Sequence, residues 1–301
     1  MNGLNQSRKT GCASFPCTCG ELFQGTLEGE PCLVSCPIDI FSQGIAASAH
    51  EGFTTSFNQK VQKALDIFSP AEMDFEIRVS TPLPVGRGYG TSTADIGAAL
   101  FAASQLFQTQ LTDQQAARIA LQVEPTDSTF FRGLSLFDHR QGKFQQYLGE
   151  ALPAGIIILD PGGMVDTEAY NRQDLHDALT ALKSDHLQAF NLLRDGIAHA
   201  DLFALSEAST LSARIHQTIL NNPLIEPALS WAKQLGAAGI CRAHSGTIVG
   251  LLFPANSDLD DAIRFLAPRV PDTVQIRSVA LIGGGVTTCK TLESETIFNG
   301  C

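Results

Sequence analysis

The segment Leu83–Asp95 combines three alternating glycines with three consecutive hydroxyl residues, immediately before a predicted helix. Glycines allow positive φ and a close approach of the backbone to a ligand. The first N–H groups of a helix lack intrahelical partners and carry partial positive charge, so an anion is their natural ligand. We therefore predict a phosphate-binding loop. Its predicted binding residues are Pro84, Gly86, Arg87, Gly88, Tyr89, Gly90, Thr91, Ser92 and Thr93.

The hydroxyl groups of this loop have two interpretations. Thr91, Ser92 and Thr93 can bond phosphate oxygens or complete the coordination shell of Mg²⁺. Alternatively, they form only a hydroxyl-rich N-cap after a tight turn. Two common nucleotide motifs do not fit the loop. No Gly-Lys-Ser/Thr closes it as in a Walker A motif, and Thr91 stands where the dinucleotide fingerprint requires its third glycine.

A pair of carboxylates provides the second chemical signal. Glu124 and Asp127 lie three residues apart, at a predicted break between a helix and the next element. One carboxylate of such a pair can hold Mg²⁺, while the other orients or deprotonates an attacking hydroxyl during phosphoryl transfer. Both residues are therefore candidate catalytic residues. The alternative is an exposed helix end, followed by an Asp that caps the next element.

The elements predicted around these residues place the loop at the start of a helix. Residues 72–80 alternate between polar and apolar types, which is typical of a half-buried strand. Apolar residues from Ile96 to Phe107 follow helical spacing. Thr112 and Gln115 form a capping-box pattern, which predicts a second helix that ends near Pro125. Two apolar runs around residues 139–142 then predict a hairpin.

The second half of the chain mixes strands and helices. A buried strand is predicted from Gly155 to the turn at Pro161, and we place a domain boundary before it, giving residues 1–152 and 153–301. Helices are predicted within residues 174–235 and 258–266, and strands within 240–253 and 277–282. The sequence contains no repeated βαβ array. This pattern indicates two α+β domains.

Composition excludes several classes of protein. A chain of 301 residues is long enough for two domains and a cleft. Acidic residues outnumber basic ones 31 to 20, and no cluster of basic residues offers a face for nucleic acid. No run reaches the roughly 18 apolar residues of a membrane helix. The charge balance favours a small metabolite as the partner. Residues 1–10 lack the apolar stretch of a secretory signal, so we expect a cytoplasmic protein.

Five of the eight cysteines lie between Cys12 and Cys36. Two interpretations remain open, a zinc or disulfide site and a group of reduced thiols packed in the core. Zinc sites usually contain two close pairs of ligands separated by a longer loop. Here Cys17 and Cys19 are one residue apart, while Cys32 and Cys36 lie among apolar residues. The spacing favours packed thiols.

Three motifs resemble those of the GHMP kinases. Residues 84–92 are similar to the second family motif, usually Pro-x-Gly-x-Gly-Leu-Gly-Ser-Ser, although Tyr89 replaces Leu and Thr91 replaces the first Ser. Thr93 replaces the Ala that usually follows. Residues 16–25 resemble the first motif, and residues 236–247 take the place of the third. The forms Ser-Thr-Ala-Asp-Ile, Glu-Pro-Thr-Asp-Ser and Ala-His-Ser-Gly-Thr resemble the PduX-type L-threonine kinases of propanediol utilisation.

This resemblance implies an α+β fold with an N-terminal domain like ribosomal protein S5 domain 2 and a ferredoxin-like C-terminal domain. It implies ATP and Mg²⁺ as cofactors. Ser92 and Glu124 would hold the metal, and Asp127 would act as the base, although some GHMP kinases work without one. The implied acceptor is L-threonine. Its product, O-phospho-L-threonine, points towards cobalamin biosynthesis.

Acceptor contacts follow from the same resemblance. Glu21 is expected to bind a substrate ammonium or hydroxyl group, Arg242 to pair with a substrate carboxylate, and Ser245 to line the acceptor site. From residue type alone, a surface position suits Glu21 at least as well as a substrate contact. Residue type favours a surface position for Arg242 and a structural role for His244. Homoserine, serine or another small alcohol is an alternative acceptor. A catalytically silent ligand sensor is the alternative function, and the sequence leaves a homodimer open.

Overall fold

The computed structural model describes residues 10–48, 55–68, 75–163 and 181–288. Within these ranges the strands are β1 (Thr10–Leu27), β2 (Glu30–Ser48), β3 (Phe75–Ser80), β4 (Leu134–Phe137), β5 (Gln145–Gly149), β6 (Ala154–Asp160), β7 (Gly239–Arg242), β8 (Val249–Pro254), β9 (Gln275–Ala280) and β10 (Thr287–Thr288). The α-helices are α1 (Gln59–Phe68), α2 (Thr91–Leu106), α3 (Asp113–Val123), α4 (Lys183–Ala198), α5 (Leu202–His216), α6 (Ile225–Leu235) and α7 (Leu259–Leu266). A single 3₁₀ turn of the described chain covers Ser128–Phe130.

The described strands form one antiparallel sheet that runs through both halves of the chain. Its order is β5-β4-β2-β1-β7-β8-β6-β9, while β3 pairs with β2 and β10 pairs with β1. The long hairpin β1–β2 dominates the first half. Strand β1 also pairs with β7, through Glu21 and Arg242. The two halves therefore meet in the middle of a continuous sheet, and the predicted boundary between residues 152 and 153 stays a prediction.

The second half has the ferredoxin-like topology. Its strands occur in the chain as β6, β7, β8 and β9, and they lie in the sheet as β7-β8-β6-β9. Helices α4, α5 and α6 lie between β6 and β7 in the chain, and α7 lies between β8 and β9. This is the β-α-β-β-α-β arrangement of ferredoxin-like domains. The predicted α+β class and the ferredoxin-like second half are confirmed.

Helix α2 packs unusually closely on the β1–β2 hairpin because the sheet offers glycines where the helix crosses it. A Cβ added at Gly11 would lie 2.0 Å from the carbonyl oxygen of Ala102, and one at Gly44 would lie 2.4 Å from that of Ala98. On the helix, a Cβ at Gly97 would lie 2.6 Å from the ring of Phe15. Side chains at these positions would push the helix outward. The close contact fixes the start of α2 relative to β1.

Most of the predicted elements agree with the structure. The alternating strand is β3, and the part of the prediction before Phe75 lies outside the described residues. The capping box is present, since Thr112 accepts from the Gln115 amide and the Gln115 side chain bonds the Thr112 amide. The helix that it starts ends at Val123, two residues before Pro125. The predicted helices of residues 174–235 correspond to α4, α5 and α6, with residues 174–180 outside the described ranges.

The cysteine cluster arises from the pairing of β1 with β2. The described cysteines are free thiols, and Cys17, Cys19, Cys32, Cys36 and Cys241 are buried. Burial raises the pKa of Cys17 and of Cys32 to about 12, because the thiolate loses its hydration. These side chains behave as small apolar groups of the core. Cys289 and Cys301 lie outside the described residues.

The described helices include none with the length and the apolar character needed to cross a bilayer.

Candidate active site

Strand β1 is irregular where it approaches the glycine loop. Its pairing with β2 shifts register three times between Pro16 and Phe23. In this stretch the amide of Thr18 donates to the carbonyl of Tyr89 at 2.8 Å, and the amide of Gly20 donates to that of Gly88 at 3.0 Å. Such bulges redirect side chains and often occur beside active sites. Here they fasten the glycine loop to the centre of the sheet.

The loop adopts the positive φ angles that its sequence predicts. Gly86, Gly88 and Gly90 have φ of 79°, 101° and 61°. At Gly88 an added Cβ would lie 2.1 Å from the Cβ of Ala243, and at Gly90 it would lie 2.8 Å from Asp127 Oδ2. The glycines therefore serve two purposes. They permit the left-handed backbone, and they let the loop contact both the Asp127 carboxylate and the turn between β7 and β8, residues 243–248, here called the Ala243 turn.

Helix α2 begins without a side-chain cap. Its N-cap is Gly90, which has no side chain, and the amide of Ala94 makes the first bond, 2.9 Å to the Gly90 carbonyl. The amides of Thr91, Ser92 and Thr93 therefore have no carbonyl of their own helix to bond. The alternative of a hydroxyl N-cap is wrong. The helix start instead presents amides and hydroxyls to one pocket, as an anion site requires.

One pocket collects the residues that the loop and the acidic pair contribute. It is lined by Thr18, Glu21, Gln24, Leu33, Lys60, Val85, Gly86, Gly88, Tyr89, Gly90, Thr91, Ser92, Thr93, Glu124, Pro125, Thr126, Asp127, His139 and Ser245. The fold thus brings residues from β1, α1, the glycine loop, α2 and the Ala243 turn around a single space. Among the described residues that line it, three are carboxylates and one, Lys60, is a cation.

Glu124 is held at the phosphate end of the pocket. It is the C-cap residue of α3 and has an extended backbone, with φ −165°. The hydroxyl of Ser92 donates to Glu124 Oε1. The ammonium of Lys60 lies 2.6 Å from Glu124 Oε2. Both carboxylate oxygens therefore have a partner, so Glu124 is part of a polar network rather than an exposed helix end.

Asp127 lies between the two ends of the pocket. Its Oδ1 accepts from the hydroxyl of Ser35 at 3.3 Å, and its amide donates to Thr93 Oγ1 at 3.2 Å. The Asp127 carboxylate does not cap the 3₁₀ turn that follows, which makes the capping interpretation wrong. Burial, with the nearby Glu21 carboxylate, raises the pKa of Asp127 to about 7.

Two further hydroxyl contacts fix the Asp127 segment. Ser35 and Ser128 exchange hydrogen bonds, each amide donating to the other hydroxyl at 3.0 Å. The hydroxyls of Thr93 and Thr126 are 2.9 Å apart. Thr93, one of the departures from the usual family motif, therefore connects the start of α2 to the acidic segment. An alanine at position 93 would lack this connection.

Glu21 occupies the opposite end of the pocket and is buried. Its Oε2 accepts from the amide and from Nδ1 of His244, both at 2.9 Å. Burial lowers the pKa of His244 well below its usual value, so the ring is neutral and Nδ1 carries the proton. The Nε2 of His244 then accepts from the Ser212 hydroxyl at 3.1 Å. Burial raises the pKa of Glu21 to about 7.

Comparisons with known proteins agree with this geometry. The family model for the N-terminal domain of GHMP kinases matches residues 57–132, and the model for their C-terminal domain matches residues 193–271. An L-threonine kinase of Salmonella typhimurium is 34% identical over 246 residues, covering 80% of this chain and 82% of that protein. The chain is a GHMP kinase. It is therefore a small-molecule kinase.

Two other relatives support the same family. An L-threonine kinase of Citrobacter freundii is 30% identical over 284 residues, covering 91% of this kinase and 98% of that protein. A homoserine kinase from Cytophaga hutchinsonii has a similar structure, with a TM-score of 0.67 at 13% identity, and the match covers 96% of this kinase and 99% of that chain. At this identity the structural likeness concerns the fold alone.

Most of the predicted site residues of this kinase line the pocket, but three do not. Pro84 lies in the loop outside the lining residues. The Arg87 side chain pairs with Asp160 instead, with Nη1 3.0 Å from Oδ2. Arg242 is fully buried, and its Nη1 donates to Gln217 Oε1 at 2.7 Å. A contact of Arg242 with substrate does not fit this structure, nor does a surface position. Glu21, predicted as an alternative to lie on the surface, is only 7% exposed.

The sequence did not indicate several residues of the kinase pocket. Lys60 and His139 come from segments without a motif of their own. Thr18 and Gln24 lie in the segment that resembles the first family motif, but they were not predicted as site residues. Lys60 lies 64 residues from Glu124, so no local spacing relates the two. The burial of His139 lowers its pKa to about 3, which keeps the ring neutral.

The donor set of this kinase fits Mg²⁺ delivered with a nucleotide. Ser92 Oγ and the Glu124 carboxylate offer hard oxygen ligands side by side. The described residues contain no group of three or more His, Cys, Asp and Glu side chains that could hold a metal. Mg²⁺ typically binds one or two protein oxygens and takes its other ligands from phosphates and water. The site therefore suits a metal shared with a polyphosphate.

Proposed function

We propose that this GHMP kinase transfers the γ-phosphoryl group of ATP to the hydroxyl of L-threonine, giving O-phospho-L-threonine and ADP. The observation that carries the proposal is the position of the Asp127 carboxylate, in one pocket with the start of α2 and the Ser92–Glu124 pair. The two L-threonine kinases similar to this chain support the acceptor. The cytoplasmic location and the role in cobalamin biosynthesis remain predictions.

The phosphate end of the pocket binds ATP. Thr91, Ser92 and Thr93 form the first turn of α2 and line this end of the pocket, so their unbonded amides and the positive end of the helix favour a triphosphate there. Ser92 and Glu124 would hold Mg²⁺, which supplies charge neutralisation at the phosphate oxygens. The glycines of the loop allow the backbone to approach these oxygens closely. Positioning and charge stabilisation are the main requirements of phosphoryl transfer.

Asp127 faces the acceptor hydroxyl and accepts its proton. The hydroxyl oxygen forms a bond to the γ-phosphorus while the bond to the bridging oxygen of ADP breaks, so the proton goes to the carboxylate and the electron pair leaves with ADP. A pKa of about 7 suits this role, because the group is partly ionised near neutral pH and still basic enough to take a proton. Ser35 and Thr93 fix the orientation of Asp127.

Glu21 and Ser245 form the acceptor end. A carboxylate buried beside neutral His244 is suited to an ammonium group, which would lower its pKa and hold it ionised. Ser245 lines the same end and adds a hydroxyl. An amino acid whose ammonium group binds at Glu21 places its side-chain hydroxyl towards Asp127, which lies between the two ends. The acidic pocket thus favours an amino acid over a neutral sugar.

The test is ATP consumption with Mg²⁺ across a panel of L-threonine, L-serine, L-homoserine and simple sugars, with each phosphorylated product identified by mass. We expect O-phospho-L-threonine to form with the highest kcat/KM. Preferential turnover of another alcohol would support the kinase activity but show that L-threonine is not the acceptor. ATP binding without turnover of any acceptor would contradict the proposal and favour a ligand sensor.

A further inference from the structure

Lys60 is the cation among the described residues that line the pocket, and its backbone is fixed to the start of α2. Asn58 Oδ1 accepts from the amides of Lys60 and Val61, both at 3.0 Å, which caps the start of α1. The Nδ2 of Asn58 donates to Asp95 Oδ2 of α2 at 3.1 Å. Asn58 therefore connects the backbone of Lys60 to α2, the helix whose start we propose binds phosphate.

The Lys60 ammonium lies where a metal ion would compete with it. It is 2.6 Å from Glu124 Oε2, while the Ser92 hydroxyl occupies Oε1. In this arrangement both oxygens of Glu124 are engaged, and Ser92 uses its proton on Glu124. A divalent cation at this carboxylate would lie close to the Lys60 ammonium, so the two positive charges would repel each other and compete for Glu124. The ammonium thus neutralises the carboxylate that the proposed function assigns to Mg²⁺.

The ion pair is accessible enough to be exchanged. The Lys60 side chain is 33% exposed and that of Glu124 is 18% exposed. Ion pairs in contact with water contribute little net stability, because both charges lose part of their hydration to form them. A triphosphate at the start of α2 would offer the ammonium several charged oxygens close by. Lysine is well suited to such an exchange, because its long stem lets the head move between partners.

We propose that Lys60 alternates between two partners, the Glu124 carboxylate when no nucleotide is bound and the phosphate oxygens of ATP when it is. Glu124 is released to the metal only when the nucleotide arrives. The kinase therefore binds its divalent cation with the nucleotide and poorly before it. This inference rests on the proposed function for the identity of the anion.

The test uses the full chain and two variants of helix α1. Lys60→Met removes the ammonium and keeps the aliphatic stem. Lys63→Met is the matched control, because Lys63 lies one turn further along the same helix, is exposed and does not line the pocket. Binding of Mn²⁺ to the nucleotide-free protein is measured from the free-ion signal in electron paramagnetic resonance. Binding of the magnesium complex of a non-hydrolysable ATP analogue is measured by calorimetry.

The two affinities should change in opposite directions. In Lys60→Met we expect the affinity for Mn²⁺ to rise about fivefold, because its competitor is gone, and the affinity for the nucleotide complex to fall about tenfold. Lys63→Met should leave both within about twofold. A folded Lys60→Met protein with unchanged or undetectable Mn²⁺ binding would overturn the exchange. Unchanged nucleotide affinity would overturn the phosphate contact and leave Lys60 as a structural ion pair.

These outcomes are independent of the acceptor test. Both are binding measurements without turnover, so they can succeed even if the wild-type protein phosphorylates no acceptor. Conversely, a wild-type protein that turns over L-threonine, with a Lys60→Met variant unchanged in both affinities, would refute this inference alone.

Discussion

The ionised form of Asp127 is unfavourable in the folded protein. Its carboxylate is half-buried, close enough to Glu21 for the two charges to repel, and its hydrogen-bond donors are neutral hydroxyls. The folded protein therefore holds the Asp127 proton more tightly than the unfolded chain does. A group of this kind is typical of a functional site, because the raised pKa destabilises the folded state at neutral pH.

Replacing Asp127 by Asn should therefore stabilise the protein at alkaline pH. The pKa of Asp127 is about 7 in the folded protein, whereas its ordinary value, which applies to the unfolded chain, is 3.8. As pH rises from about 4 to about 7, the unfolded chain loses this proton more readily than the folded protein, so the free energy of unfolding falls. The gain of Asp127→Asn over the wild type should grow across this range, to about 1–3 kcal/mol at pH 8. Urea unfolding at pH 5 and pH 8 measures it.

An exposed aspartate provides the control for this prediction. Asp272 lies on the surface, and Asp272→Asn should change stability equally at the two pH values. A gain for Asp127→Asn that does not depend on pH would mean that the folded state does not raise the pKa of this carboxylate.

At the scale of elements, the glycine loop is shaped by contacts from both halves of the chain. Strand β1 bonds its backbone at two carbonyls, and the Ala243 turn packs on Gly88. From β6, the buried Asp160 Oδ2 accepts from the Tyr89 hydroxyl at 3.1 Å and from Arg87 at 3.0 Å. Tyr89 stands where the family motif usually has Leu. Its hydroxyl gives this loop an anchor that a leucine lacks.

Tyr89→Phe should loosen the loop without changing its packing. The variant keeps the ring but removes one donor from a buried carboxylate, which costs about 1–2 kcal/mol of stability. We expect KM for MgATP to rise about threefold to tenfold and kcat to change by less than about twofold, because the loop positions ATP rather than the acceptor. Steady-state kinetics at varied ATP concentration measures KM and kcat separately.

Tyr147→Phe is the matched control, since the Tyr147 hydroxyl bonds Glu150 on the exposed surface. It should leave both constants unchanged. A Tyr89→Phe protein with a lower melting temperature but an unchanged KM would show that Tyr89 contributes only to stability.

The sequence predicted the features that depend on neighbouring residues. The order of strand, glycine loop and helix and the capping box at Thr112 have short-range signals. The ferredoxin-like second half was expected from the family resemblance, since the local pattern predicted only mixed strands and helices. It could not predict contacts between distant segments. Glu21 and His244 are 223 residues apart, and Lys60 and Glu124 are 64 apart. Arg242 was misjudged for the same reason, since its burial depends on the pairing of β1 with β7 and on Gln217 at the end of α5.

At the scale of the whole molecule, the sheet makes the two halves interdependent. Strand β1 lies between β2 and β7, and Glu21 of β1 bonds His244 beyond β7. The glycine loop of the first half is anchored by β6 of the second. Separating the halves would expose strand edges in the middle of the sheet and leave buried polar groups without partners. The catalytic pocket therefore exists only when both halves are folded.

We expect the chain to unfold in one cooperative transition, although two separate family models match its two halves. Trp231 is the single tryptophan and lies in α6 of the second half, so its fluorescence reports on that half. Far-ultraviolet circular dichroism reports on the helices of both halves. Urea unfolding curves from the two signals should coincide. Midpoints that differ clearly would show that the halves unfold independently.

The most direct test of the account is the initial rate of O-phospho-L-threonine formation from MgATP and L-threonine, measured by mass for the wild type and Asp127→Asn side by side. We expect phosphothreonine from the wild type and a loss of about 10²-fold to 10⁴-fold in kcat for the variant, since a positioned base is removed. Equal rates for the two proteins would show that the Asp127 carboxylate is not needed for the reaction. No phosphothreonine from the wild type, with another acceptor turned over, would contradict the proposed substrate.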